Sequence, residues 1–134
     1  MLRGLTTIVY VAVDVPAAVE WYAEMLGARP YFARPTVEEP LYAEFRIGDR
    51  QAELGIMDAR FATGGPLAQP AGQITYWAVD DVEAAFQRLL ALGATEHEKP
   101  TERGPGFVTA SVVDPFGNIV GVMFNQHYLD MLES

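Results

Sequence analysis

The chain has 134 residues, no cysteine and only two histidines, His97 and His127. Without cysteine there is no disulfide frame, no thiol nucleophile and no thiolate metal site. A bound metal would have to draw on His, Asp and Glu. Neither histidine falls in a predicted strand core: His97 lies in EHEK near an edge, and His127 lies beyond the last strand. There is no Gly-x-Ser-x-Gly elbow and no Walker loop, and Gly64-Gly65-Pro66 is not followed by Lys, so it is no phosphate cradle. Carboxylate chemistry is what remains. Eighteen Asp and Glu stand against nine scattered Lys and Arg, for a net charge of -9. That balance argues against nucleic acid, which is bound through clustered cations. It suits a cationic ligand, or simply solubility.

The elements that must position any such chemistry can be read from the apolar pattern. Half of the residues are hydrophobic and a fifth are charged, a globular composition. No apolar run approaches the roughly 20 residues of a membrane span, and the N-terminus lacks a signal-like stretch. No membrane association and a cytoplasmic location are expected. TTIVYVAV (6–13) reads as a strand. Asp14 caps a helix with Pro16 in its first turn, Val19, Tyr22 and Leu26 on one face, and Gly27 at its end. Short strands follow at about 29–34, 41–47 and 51–57, the last two joined at Gly48-Asp49. DARFATGGPLAQPAG (58–72) reads as a linker. The scheme then restarts: a strand at 74–79, a helix capped by Asp80 or Asp81 and ending at Leu92-Gly93, and strands at about 95–99, 107–113 and 118–124.

Sliding the chain on itself by 66 residues lays 11–28 over 77–94, with 7 of 18 positions identical: Ala12, Val13, Asp14, Ala18, Leu26, Gly27 and Ala28. This predicts an α+β fold of two tandem βαβββ modules, 6–57 and 73–125, within a single domain of residues 1–134, with 126–134 as a C-terminal tail. A ligand site between duplicated halves follows naturally.

Two such modules, the VDDVEAA…LGA segment and the closing DPFGN resemble the vicinal oxygen chelate superfamily over about residues 6–125. That group includes glyoxalase I, extradiol dioxygenases, and fosfomycin- and bleomycin-resistance proteins. The resemblance implies a cupped mixed β-sheet with helices outside. It also implies a divalent ion held from the first, fourth, fifth and eighth strands. Spacing from the neighbouring motifs places those positions at Thr7, Glu53, Ile74 and Gly121. Only Glu53 is a good metal donor, so no metal and no cofactor is expected. Glyoxalase I activity and extradiol oxygen chemistry, which need the ion in this family, fall with it.

The same positions fix which strand faces line the cup, because side chains alternate with period two. Thr7, Val9 and Val11 then face inward, with Tyr42, Glu44 and Arg46 from the third strand and Glu53, Gly55 and Met57 from the fourth. The second module gives Ile74, Tyr76, Phe107, Thr109, Ser111, Ile119, Gly121 and Met123. Leu41, Ala43, Phe45 and Ile47 are expected under the helix, and Trp77 in the core. The mixture of aromatic walls, methionines and a few fixed polar groups suits a small molecule. Glu53 is the expected anchor, paired with Arg46 or with a cationic ligand.

Two functions compete. The first is a metal-free binding protein resembling the bleomycin-resistance branch, sequestering a cationic or aromatic drug or metabolite. The second is a glyoxalase-like lyase or isomerase, or another enzyme of the superfamily. There Glu53 would be the catalytic base on an acidic C–H beside a carbonyl, and Arg46 or Tyr76 would steady the oxyanion, with no metal or with one held unconventionally. An interaction module with a self-filled cup is a third possibility. A homodimer is expected, with a tail able to cross to the partner; its apolar Tyr128, Met131 and Leu132 favour docking somewhere. TERGPG (101–106) reads as a loop able to form a lid.

Overall fold

A computed structural model describes residues 1–3, 5–62 and 73–133. The fold is α+β: among the described residues, two open four-stranded mixed sheets and three α-helices are arranged as tandem βαβββ modules. The chain divides into two compact units, Met1–Ala68 and Gln69–Ser134.

The first unit runs β1 (Thr7–Ala12), α1 (Val15–Leu26), β2 (Phe32–Arg34), β3 (Tyr42–Ile47) and β4 (Ala52–Asp58), then a 3-10 turn at Ala59–Phe61. Its strands lie in the order β1-β4-β3-β2, with β1 parallel to β4 and the other pairs antiparallel. The apolar alternation sets the two faces. Tyr10, Ala12, Ala43, Phe45, Leu54 and Ile56 are buried with Val15, Ala18, Val19 and Tyr22 of α1. The Asp14 carboxylate accepts the Ala17 N–H at 3.1 Å and caps α1. Gly27 closes the helix at φ 70, a conformation glycine adopts without a Cβ penalty.

The second unit runs β5 (Thr75–Ala78), α2 (Val82–Ala91), β6 (Thr95–Gly104), β7 (Phe107–Val113), β8 (Ile119–Asn125) and α3 (Gln126–Leu132). The sheet order is β5-β8-β7-β6, with β5 parallel to β8. Val82, Phe86 and Leu89 of α2 are buried with Ala110, Val112, Val120 and Val122. Asp114 gives the DPFGN segment its structural reason. Its Oδ1 accepts the N–H groups of Phe116 at 2.9 Å and Asn118 at 2.7 Å, and its Oδ2 accepts Asn118 Nδ2 at 2.9 Å. One buried carboxylate thus ties the turn into β8, beside the backbone bond from the Asp114 N–H to the Asn118 carbonyl at 2.8 Å.

The repeat in structure is offset from the repeat in sequence. Asp81, not Asp80, caps α2, through the Ala84 N–H at 3.0 Å. In the first sheet Val9 pairs with Gly55, and in the second Tyr76 pairs with Gly121. The first strands are therefore related by 67 residues and the last strands by 66. Ala12 and Ala78 coincide in the sequence overlay yet lie on opposite faces of their sheets; Ala12 is buried and Ala78 exposed. A one-residue slip in a strand exchanges its faces.

Other expectations change. Residues 101–104 are strand and not loop, so only Pro105 and Gly106 form the β6–β7 turn. Pro100 is accommodated because β6 is an edge strand with shifted register. The expected tail carries a helix, α3, whose start Asn125 caps by accepting the His127 N–H at 3.0 Å. Of the expected linker, Asp58 ends β4 and 59–61 form the 3-10 turn; 63–72, including Gly64-Gly65-Pro66, lie outside the described residues.

Candidate functional site on the first sheet

The α-free face of the first sheet is built from three cross-strand rows. Thr7, Glu53 and Arg46 form the first; Val9, Gly55, Glu44 and Phe32 the second; Val11, Met57, Tyr42 and Arg34 the third. Each row is a set of paired residues, so its side chains project to the same side. Of the expected site residues, Thr7, Val9, Tyr42, Arg46, Glu53 and Met57 are brought together here.

The first row is tied by Glu53. Its Oε1 accepts the Thr7 hydroxyl at 3.2 Å, and Arg46 lies 3.3 Å from its Oε2. In the second row Glu44 accepts the phenolic O–H groups of both Tyr31 and Tyr42. Burial raises the Glu44 carboxyl above its ordinary value, and a hydrogen bond with Glu53 and the charge of Glu53 raise it further, against the opposing charge of Arg46. Glu44 is therefore a carboxyl on this face held toward its neutral form. The Tyr42 hydroxyl is also raised, first by burial and then by the charge of Glu53, with Arg34 opposing.

Glycine makes this arrangement possible. A Cβ on Gly55 would lie 2.6 Å from the Tyr42 hydroxyl oxygen, so the ring occupies the space that a side chain would fill. Tyr42 then forms one wall of a cleft of about 430 Å³ lined by Arg34, Pro35, Leu41, Met57 and Phe61, with walls almost wholly apolar. Leu41 was expected under the helix with Ala43. It precedes the first residue of β3, where strand alternation no longer governs it, and it faces the cleft instead. The Arg34 guanidinium lies 6.0 Å from the Phe32 ring centre and 5.8 Å from that of Tyr42. Arg46 lies 5.1 Å from the Tyr31 ring centre.

Sequence reasoning put Glu44 on this face without assigning it a role, and it missed Arg34 and Phe61. The i, i+2 spacing of Phe32 and Arg34, followed across a hairpin to Glu44 and Tyr42, was the available signal. Phe61 sat in a segment read as linker.

The second unit holds the remaining expected residues on its own sheet. Tyr76, Gly121 and Ser111 form one row, and Met123 and Thr109 belong to the next. Ile74 precedes β5, and Phe107 opens β7 opposite Asn125. The Ser111 hydroxyl is paired with His97 Nδ1 at 2.8 Å, and Thr109 Oγ1 accepts Arg103 Nε at 3.1 Å. Trp77 lies beside buried Val122, on the face opposite Tyr76.

Two βαβββ units, each with its first and last strands parallel, set the frame for comparison. The model of the Glyoxalase/Bleomycin resistance protein/Dioxygenase superfamily matches residues 4–122. The chain belongs to that superfamily. Its backbone is similar to a glyoxalase-related enzyme from Fulvimarina pelagi, with a TM-score of 0.73, 20% identity, and coverage of 93% of this chain and 90% of that one. It is similar to the fosfomycin resistance protein FosX from Mesorhizobium loti, with a TM-score of 0.68, 18% identity, and coverage of 98% and 99%. TioX from Micromonospora sp. ML1 is similar with a TM-score of 0.65, 20% identity, and coverage of 90% and 97%. At such identities the likeness is one of fold. No curated protein matches the chain in sequence.

The superfamily resemblance implies a divalent ion, and the residues present do not fit one. Both oxygens of Glu53 are engaged, one by Thr7 and one by the cationic Arg46. In the second sheet a Cβ on Gly121 would lie 2.5 Å from the Tyr76 ring and 3.0 Å from Ile74, so that position offers neither a donor nor room for one. No group of three or more His, Asp or Glu converges among the described residues. None of the described helices is long and apolar enough to cross a membrane.

Proposed function

We propose that this chain is a small-molecule-binding member of the superfamily that works without a resident metal, in the manner of drug or metabolite sequestration. The observation that carries this reading is the first-sheet face itself. An apolar cleft adjoins polar groups already fixed by hydrogen bonds, the combination that small-molecule sites use. Thr7, Val9, Tyr42, Arg46, Glu53 and Met57 form its contact surface. Ile74, Tyr76, Phe107, Thr109, Ser111, Gly121 and Met123 are the corresponding proposal for the second sheet. Of the expected ligand classes, an aromatic one is supported, because Arg34 and Arg46 already lie near the ring faces a cation would seek.

The test is a thermal-shift panel of drug-like aromatics and quinones, repeated with Glu53→Gln. A ligand at 100 times its Kd stabilises by about 2.7 kcal/mol, a shift of a few degrees in Tm. A metal-independent shift that Glu53→Gln reduces is expected. Stabilisation that requires an added divalent ion would sink the reading.

The second reading is enzymatic, with Glu53 as general base on a carbon acid. Glu44 favours it, because it stands one row from Glu53 and burial holds it toward its neutral form, a carboxyl placed to exchange the proton. Turnover of a carbonyl compound that exchanges its α-deuterium only when Glu53 is intact would establish it. The homodimer is likewise proposed. It is supported by α3, none of whose described residues is buried and whose Met131 is exposed.

A further inference from the structure

The charge of the ligand can be read from the cleft. Among the described residues its lining holds one ionisable cation, Arg34, between apolar and aromatic walls. Among the described residues no carboxylate lies within ion-pair distance of Arg34, whereas Arg29, Arg46, Arg60 and Arg103 each have one. The nearby charges are otherwise matched. Glu53 is paired with Arg46, and Arg60, beside Phe61, is paired with Asp58. Glu44, one row away from Tyr42, accepts two phenols and is held toward its neutral form by burial. The uncompensated group at the cleft is therefore a guanidinium. It lies near the Phe32 and Tyr42 rings, whose faces help fix its position.

We propose that the cleft selects an organic anion with a flat apolar body, an aromatic carboxylate, with the carboxylate on Arg34 and the ring between Tyr42, Met57 and Phe61. A guanidinium offers two parallel N–H donors to a carboxylate, and the cleft volume lies within the ~300–1,000 Å³ of small-molecule pockets. This rests on the small-molecule reading above and assigns its ligand a charge. The acidic balance of the whole chain pointed to a cation, but recognition is decided by the few groups at the cleft.

The experiment uses three probes that share one body: 2-naphthoate, 2-naphthamide and 2-naphthylmethylammonium. Each is titrated calorimetrically into the full chain and into Arg34→Met. Naphthoate is expected to bind at least about tenfold more tightly than the amide, as one charge-assisted hydrogen-bond pair allows, with the ammonium weakest. Arg34→Met is expected to bring naphthoate down to the amide and leave the amide unchanged. Equal binding of naphthoate and amide overturns anion selection while leaving a ligand site in place. So does naphthoate binding that survives Arg34→Met. Absence of binding by all three overturns the anion assignment, and the thermal-shift panel with Glu53→Gln then judges the small-molecule reading separately.

Discussion

Tyr42 lies across Gly55. The phenolic oxygen comes within 2.6 Å of where a Cβ on that glycine would be, and it donates from there to Glu44. The glycine is thus part of the site, although it has no side chain to contribute. Gly55→Ala should push the ring off β4, break the Tyr42–Glu44 bond and cost roughly 1–3 kcal/mol, the usual penalty for overpacking. Urea denaturation reads the cost, and loss of ligand-induced stabilisation in the same variant reads the site. Wild-type stability and binding would show that the ring position does not matter.

The second sheet repeats the device with Gly121 and Tyr76. Gly121→Ala should destabilise by a similar ~1–3 kcal/mol. In combination with Tyr76→Ala the cost should be less than additive, because removal of the ring frees the space. A double-mutant cycle in denaturant measures this coupling. Strict additivity would mean that the two residues do not compete for one volume.

Glu44 makes stability depend on pH. Its folded value is raised above the ordinary 4.5, so the folded chain holds a proton that the unfolded chain has released. The stabilisation is full below 4.5 and is lost as pH rises through the folded value. Tm should therefore fall over the pH range just above 4.5 for this group, and Glu44→Gln should flatten that slope. An unchanged slope in the variant would place the proton elsewhere.

The Asp114 carboxylate accepts hydrogen bonds from the Phe116 N–H and from the N–H and side-chain amide of Asn118, and it is almost fully buried. Asp114→Ala should orphan two backbone N–H groups and the Asn118 amide, at a cost of roughly 2–4 kcal/mol. Equilibrium unfolding followed by tryptophan fluorescence tests this, since Trp77 lies in the same unit. A loss below about 0.5 kcal/mol, the level of an ordinary surface change, would remove the turn from the stability argument.

Metal content bears directly on the binding mechanism. Protein grown with added Ni, Zn, Mn and Fe should carry well below one ion per chain after desalting. One tightly held ion per chain would overturn the metal-free proposal.

Much of the fold was legible in the sequence because period and punctuation are local properties. Asp14, Pro16 and Gly27 bracket α1, and the alternation in β3, β4 and β7 fixes which side chains are buried. The superfamily could be reached from DPFGN and the repeat for the same reason, since Asp114 does its work within a few residues. What failed was local pattern at element ends: Leu41 lies just before β3, and Pro100 obscured a ten-residue edge strand. The one-residue slip between the sequence repeat and the strand repeat was invisible, because identity at Ala12 and Ala78 says nothing about which face each occupies.

The candidate site divides along the same line. By itself the sequence determined the two-module α+β fold and placed Glu53, Tyr42 and Arg46 on one face, because these follow from spacing along a strand. Only the tertiary structure decided that Tyr42 fills the space of Gly55, that burial beside Glu53 holds Glu44 toward its neutral form, and that Arg34, at an apolar cleft, has no carboxylate within ion-pair distance among the described residues. Those relations join residues of different strands. They depend on pairing register and on which charges are neutralised at short range, neither of which a one-dimensional pattern contains.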